Sequence, residues 1–313
     1  MDRRKFIINA SNVGFMTFVF KTAALSFEVS KNENPNCGNV IGKTKIYITK
    51  HEDTLLDIAR NNGLGFVELV AANAGVDPWV PGKQREIIIP GAHLIPEGPR
   101  KGMLLNLIDQ RMYLFTEPNS VVSYPIGTGR EAWDTPIGTT NIVRKKYKPT
   151  WFVPNSVRKE DPNLPAIIKP GPDNPLGNHA FYLGWPAYLI HGTNQPWGVG
   201  RRVSHGCIRM YPEDIAKIFN KIDIGTHVTV VKQEAKIEWV KNDLMLEVHP
   251  NGKQNLELER TGTFTFSKVP ELAYRIKEKA GKRLKDVDWN LVKRIENKRQ
   301  GIPMSILVKE KRR

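Results

Sequence analysis

Residues 191–210 read HGTNQPWGVGRRVSHGCIRM, and the fold and the chemistry of the chain both turn on that stretch. It holds two histidines, one of the chain's two cysteines and two arginines just before the second histidine, with little of the spacing that marks a core. Cys207 has four readings: a small buried hydrophobe, a metal ligand, half of a disulfide, or a nucleophile. His179, His191, His205 and Cys207 are the right residue types for zinc. However, the paired spacing of common zinc sites is missing, a single glycine separates His205 from Cys207, and no carboxylate cluster supports another ion. No metal and no cofactor are expected. A disulfide would need Cys37, which lies in the polar linker SKNENPNCGNVIGK, a poor holder for a rigid bridge. A nucleophile needs a base, a field that favours thiolate, and donors for an oxyanion. His191 lies sixteen positions upstream at the end of a predicted strand, and Arg201, Arg202 and Arg209 make the surroundings electropositive. Gly206 permits a tight turn that aims the Gly206 and Cys207 amides at one carbonyl oxygen, while His205 reads as a hydrogen-bonding organiser of the loop.

Working outward, PEDIAKIFNKI (212–222) predicts a helix with Pro212 in its first turn, Glu213 and Asp214 at its N-terminus, and Ile215, Ile218, Phe219 and Ile222 on one face. Upstream, β-type runs at 104–108, 112–115, 121–125, 139–143, 180–183 and 187–190 are divided by turn signals, and 226–231 predicts a closing strand. PNLPAIIKPGPDNPLG (162–177) belongs to a long irregular segment of the kind that carries function. The region 233–313 has strand-like pieces, the helical pattern PELAYRIKEKAG and the basic end KEKRR.

Residues 45–90 form a separate strand–helix–helix–strand unit. Thr54 and Asp57 have capping-box spacing, Gly63 stops the first helix, and Pro81-Gly82 turns the chain into strand 86–89. Tyr47-Ile48-Thr49, Asp53-Thr54-Leu55, Ile58-Ala59, Leu69, Asn73, Pro81-Gly82 and 87–90 resemble a LysM module. That resemblance implies binding to the N-acetylglucosamine-containing glycan of peptidoglycan.

The chain has 313 residues, 40% hydrophobic content and a formal net charge of +15, which suits about two domains and an anionic partner. Residues 1–26 have a basic start, an apolar run and small residues, the three parts of an export signal. Asp2-Arg3-Arg4-Lys5-Phe6-Ile7 resembles the twin-arginine motif, and Lys21 ends the apolar run short of the roughly 20 residues that span a bilayer. Export and the lack of any recognisable motif argue against nucleic acid as the partner.

His191-Gly192-Thr193, a spacer, and Ser204-His205-Gly206-Cys207-Ile208-Arg209 resemble the signature of the YkuD-type L,D-transpeptidases. Asp134-Thr135-Pro136, Pro149-Thr150-Trp151, 171–175 and Glu247-Val248-His249 point to the ErfK/YbiS/YcfS/YnhG branch. The resemblance implies an α+β protein. Its mostly-β catalytic domain (101–232) is β-sandwich-like with a short helix after the nucleophile. Beside it stand a βααβ LysM module (45–90), an export signal (1–26), a linker (27–44) and a mixed, basic C-terminal extension (233–313). It further implies a periplasmic, wall-associated enzyme in which His191 deprotonates Cys207. The thiolate takes the acyl group of the third stem residue, D-alanine leaves, and an amine receives the acyl group. That amine belongs to a second stem peptide or to a lysine of an envelope lipoprotein; water as acceptor would give an L,D-carboxypeptidase, and an inert cysteine a mere wall-binding protein. Gly206, His205 and Ser204 are the implied oxyanion and loop residues. Arg209, where many members carry Asn, joins Thr193 and Arg202 as an implied substrate-binding residue.

Overall fold

The structure, a computed structural model, describes residues 39–117 and 120–308. The expected export signal, Cys37 and the last five residues of the basic end lie outside these described residues.

The first unit consists of strand β1 (Lys45–Ile48), helices α1 (Leu55–Asn61) and α2 (Phe66–Ala72), and strand β2 (Glu86–Ile89), with β1 and β2 paired antiparallel. Thr54 caps α1 by accepting the Asp57 N–H at 3.1 Å, and Gly63, at φ +64°, turns the chain out of the helix. The Glu68 carboxylate reaches back to the Gly65 N–H at 3.0 Å and closes the start of α2. Leu55, Ile58, Leu69, Val70 and Ile87 are buried together, and Leu258, from far along the chain, completes this core.

The second body is a sheet of strands β3 (Gly102–Asn106), β4 (Arg111–Glu117), β5 (Ser120–Gly129), β6 (Gly138–Tyr147), β7 (His179–Leu183), β8 (Leu189–His191), β9 (Arg202–Ser204), β10 (Ile208–Met210) and β11 (His227–Val231). Its order is β9-β5-β10-β8-β7-β6-β11-β3-β4, and β4 also pairs with β5, so eight strands close into a ring. The sandwich expected from the sequence is thus joined through β5, whose first half pairs with β4 and whose end pairs with β10 and β9. Period-2 alternation explains the uninterrupted apolar runs of β3 and β4. Met103, Leu105, Met112 and Leu114 face the main core, while Leu104, Tyr113 and Phe115 enter a second core with Ile41, Ile95 and Val121. Helix α3 (Pro212–Phe219) starts on Pro212 with Glu213 and Asp214 in its first turn, and it buries Ile215 and Ile218 in the main core. The long segment before β7 contains a helix at Asn155–Glu160 and a two-residue pairing of Trp151–Phe152 with Ile167–Ile168. Buried Asn174 ties this segment up by donating to the carbonyls of Pro149, Ile168 and Lys169.

The third body has strands β12 (Ala235–Val240), β13 (Asp243–Val248) and β14 (Met304–Ser305), with helices α4 (Gly252–Thr261), α5 (Leu272–Ala280) and α6 (Trp289–Lys298). Ile237, Leu244, Leu246, Leu272, Ile276 and Ile306 belong to its own core. The region read from sequence as an extension with scattered elements is therefore a packed body. Strands, helices and four cores give an α+β architecture. Among the described residues no helix is long and apolar enough to cross a membrane.

Candidate active site

Two short strands place the candidate base and nucleophile. Strand β8 lies parallel to β10, with Ile190 opposite Ile208 and His191 opposite Arg209. Ile190 and Ile208 are fully buried in the main core. Alternation along each strand therefore sends Leu189, His191, Cys207 and Arg209 to the other face of the sheet. Sequence reading found the His191 strand but missed β9 and β10, whose three residues each are too few to show a period.

His191 is 4% exposed, and its Nδ1 lies 2.5 Å from the Gly192 carbonyl. A carbonyl can only accept, so Nδ1 carries the proton and Nε2 keeps its lone pair. Burial, reinforced by the Arg209 guanidinium, lowers the imidazole pKa to about 3, against the pull of the Gly192 carbonyl. At neutral pH the ring is an uncharged base.

Cys207 is half-buried and unbridged, and its thiol donates to the Ala187 carbonyl at 3.5 Å. Ala187 has φ +69°, a conformation a side chain rarely adopts, and it sits in the turn that leads into β8. Burial pushes the thiol pKa up, while the Leu189 N–H and the Arg209 charge draw it down. The resting pair is therefore a thiol and a neutral imidazole.

The turn before Cys207 is held by the backbone and by Ser204. Buried Ser204 donates its hydroxyl to the Cys207 carbonyl at 2.5 Å and accepts the Gly206 N–H at 3.2 Å. Gly206 has φ +97°, and a Cβ there would fall 2.8 Å from Tyr188 Cε1. Its carbonyl accepts from Thr135 Oγ1 at 2.9 Å. The Gly206 N–H, expected to face an oxyanion, donates to the Ser204 hydroxyl.

Other expected site residues point elsewhere. His205 Nε2 contacts Glu160 at 2.8 Å and Arg130 at 3.0 Å, and its ring stands edge-on to Trp133 with centroids 5.1 Å apart. Arg202 donates to the Gly129 carbonyl at 3.2 Å and to Asp134 at 2.6 Å. Thr193 is buried and accepts the Gln195 N–H, so it closes the turn after His191. Arg209 has a buried Nε without a hydrogen-bond partner. Sequence reading missed Trp133, Glu160 and Tyr188, which no local pattern marks; Asp134 and Thr135 stood within a motif but carried no role.

Asp109, Glu247 and His249 form a second, buried cluster with donor atoms within 4.8 Å of one another, spacing that would suit a metal. The cation among them is Lys236, whose Nζ lies 2.9 Å from Asp109 Oδ2 and 2.5 Å from Glu247 Oε1. Burial opposes the ammonium charge, yet the two carboxylates hold its pKa above the usual lysine range.

Residues 100–230 match the YkuD family, the L,D-transpeptidase catalytic domain. The probable L,D-transpeptidase YcfS of Escherichia coli K12 is 31% identical over 310 residues, covering 93% of this chain and 94% of that protein. The probable L,D-transpeptidase ErfK/SrfK of Salmonella typhimurium is 32% identical over 303 residues, covering 93% and 96%. YbiS of Escherichia coli K12, also a probable L,D-transpeptidase, is 39% identical over 180 residues, covering 55% of this chain and 58% of that one. The chain belongs to the YkuD family of L,D-transpeptidases. With relatives of that name along nearly its whole length, it is a cysteine-dependent peptidoglycan L,D-transpeptidase.

Proposed function

We propose that the acyl transfer runs through Cys207 as nucleophile and His191 as base, with Arg209 drawing in the acyl donor. The observation that carries this reading is the fixed tautomer of His191: Nδ1 is committed to Gly192, which leaves Nε2 as acceptor on the sheet face that also bears Cys207. The Cys207 proton passes to His191 Nε2, and the sulfur attacks the carbonyl at the L-centre of the third stem residue. The carbonyl π pair moves to oxygen, with the Cys207 N–H as its hydrogen-bond donor. Collapse breaks the bond to D-alanine, whose amine leaves with the proton from His191. An amine then attacks the thioester, His191 takes its proton, and the thiolate departs and is reprotonated. One oxyanion donor is worth roughly 3 kcal/mol in comparable enzymes. The Arg209 guanidinium is the cation that suits the carboxylate of a stem peptide.

The remaining assignments belong to the same proposal. The β1–α1–α2–β2 unit is a LysM module that binds the glycan strand and keeps the enzyme near its polymeric substrate. Trp79, 57% exposed, offers it a ring for sugar stacking. Residues 1–26 export the chain to the periplasm, and the acceptor is a second stem peptide or a lipoprotein lysine.

A carbapenem incubated with the protein should add its full mass to wild type and nothing to Cys207→Ala. An unmodified wild type, or an adduct that survives the substitution, sinks the nucleophile. Mass spectrometry of wall fragments from cells with and without the protein reads the acceptor. Lost third-to-third crosslinks mean a stem peptide, lost wall-bound lipoprotein means its lysine, and lost tripeptide stems mean water.

A further inference from the structure

Residues 192–201 join the strand that ends in His191 to the strand that leads to Cys207, and this segment is gripped from two sides. On one side the Gly200 N–H donates to the Ile126 carbonyl at 3.1 Å, and the Thr128 N–H donates to the Arg201 carbonyl at 3.0 Å. On the other side lies the start of α2. Its Phe66 N–H donates to the Val199 carbonyl at 3.4 Å, and its Val67 N–H donates to the Gly200 carbonyl at 3.2 Å. First-turn N–H groups have no partner inside their own helix, so the segment supplies what the helix lacks. The approach leaves no room for side chains: a Cβ on Gly65 would fall 2.6 Å from Gly200 Cα. Gly65 has φ −80°, which any residue adopts, so the contact itself demands glycine there.

Further contacts bring both flanks of the nucleophile onto the same end of the module. Before Cys207, the Arg201 guanidinium stands 5.0 Å over the Phe66 ring. After it, the Tyr211 hydroxyl donates to the Leu64 carbonyl at 3.1 Å, and Glu213 pairs with Arg60 at 2.9 Å. Deeper in the junction, Arg111 of β4 pairs with buried Glu68 at 2.8 Å. Gly198, beside the contact, packs on Arg209; a Cβ there would sit 3.2 Å from Nη1. Arg209 is the charged group that acts on both Cys207 and His191.

We propose that the α1–α2 end of the N-terminal module is a positioning element of the transpeptidase site: Gly65 and the first turn of α2, seated on Val199 and Gly200, set the path from His191 to Cys207 and, through Gly198, the place of Arg209. The module then governs the rate of acyl-enzyme formation whatever glycan it holds. The inference rests on the Cys207–His191 reading above.

The test uses the full chain with Gly65→Ala, following carbapenem adduct formation by intact mass over time and across pH. Displacing the segment should slow the rate constant about ten- to a hundredfold while every molecule still reacts. The midpoint of the pH–rate profile should also move, because Arg209 shifts relative to the thiol. A wild-type rate constant, or a reduced amplitude with a wild-type rate constant, overturns the inference and leaves only a folding role. Should Gly65→Ala not fold, Tyr211→Phe decides: losing one hydroxyl bond to Leu64 should slow adduct formation about threefold, and a wild-type rate overturns the inference. A wild-type protein that forms no adduct on Cys207 fails the catalytic reading instead.

Discussion

Two regions of this molecule bury titratable groups, and they treat them in opposite ways. In the buried cluster of Asp109, Lys236, Glu247 and His249 the charges answer one another: Lys236 meets Asp109 and Glu247, Tyr113 donates to Asp109 at 2.9 Å, and Glu247 also takes the Leu94 N–H and the His249 ring. At the catalytic turn the groups are left partly unanswered. His191 has one carbonyl for two nitrogens, and Arg209 has a buried Nε with no partner. A satisfied buried network resists change and serves the fold. An unsatisfied one is poised to gain from an incoming carbonyl, carboxylate or amine, and there the transfer can be driven.

The contrast is open to breaking at several points. The largest effect should come from His191→Gln, which keeps a polar side chain but removes the proton acceptor: adduct formation should fall about 10²- to 10⁴-fold. A variant within tenfold of wild type would remove His191 as the base. Next comes Lys236→Met, which strands Asp109 and Glu247 without their cation. Urea unfolding should show a loss of about 3–5 kcal/mol, while the rate constant of the folded fraction stays near wild type. An unchanged stability would show that the cluster is not a fold element.

A third point concerns acid. Because the folded His191 pKa, about 3, lies below that of an unfolded imidazole, the unfolded chain binds a proton that the folded chain refuses. His191 therefore costs stability progressively as pH falls from about 6.5 towards 3, and it costs nothing above that window. As pH falls across this window the stability of wild type should drop more steeply than that of His191→Gln; equal slopes would refute the buried neutral ring. Smaller still is Arg209→Gln. Loss of a charge that draws the thiol pKa down should move the midpoint of the pH–rate profile to higher pH. A shift to lower pH, or none, would mean that Arg209 does not act on Cys207. The least effect belongs to His205→Ala. Its partners Glu160 and Arg130 are about two-fifths exposed, so the cost should stay within ~1 kcal/mol of stability and a few-fold in rate. A hundredfold loss would return His205 to the oxyanion.

Much of the site was legible because its residues lie close along the chain. Cys207, its glycine and its arginines occupy one short stretch, and His191 stands at the end of a strand whose apolar run could be read. What misled was direction. His205 sits two residues from Cys207, yet it faces Glu160 and Arg130, because Gly206, at φ +97°, turns the chain between the two. Arg202 likewise spends its charge on Asp134. The module's elements were legible too, with Thr54 and Gly63 marking the ends of α1. Nothing in residues 45–90 marked Gly65 as a contact for Gly200.

The order of residues, with their local periods, caps and turns, was thus sufficient for the longer elements of residues 45–231, a cysteine-dependent chemistry and the family. Ring closure through β5, the tautomer of His191, the turning of His205 towards Glu160 and Arg130, and the seating of α2 on Val199 and Gly200 came from folding. The His191 tautomer rests on its neighbour's carbonyl, but the others depend on pairs that meet across tens to well over a hundred residues, such as His205 with Glu160 or Gly65 with Gly200. Such meetings are selected by burial and hydrogen-bond satisfaction over the whole chain, and no local window of sequence records them.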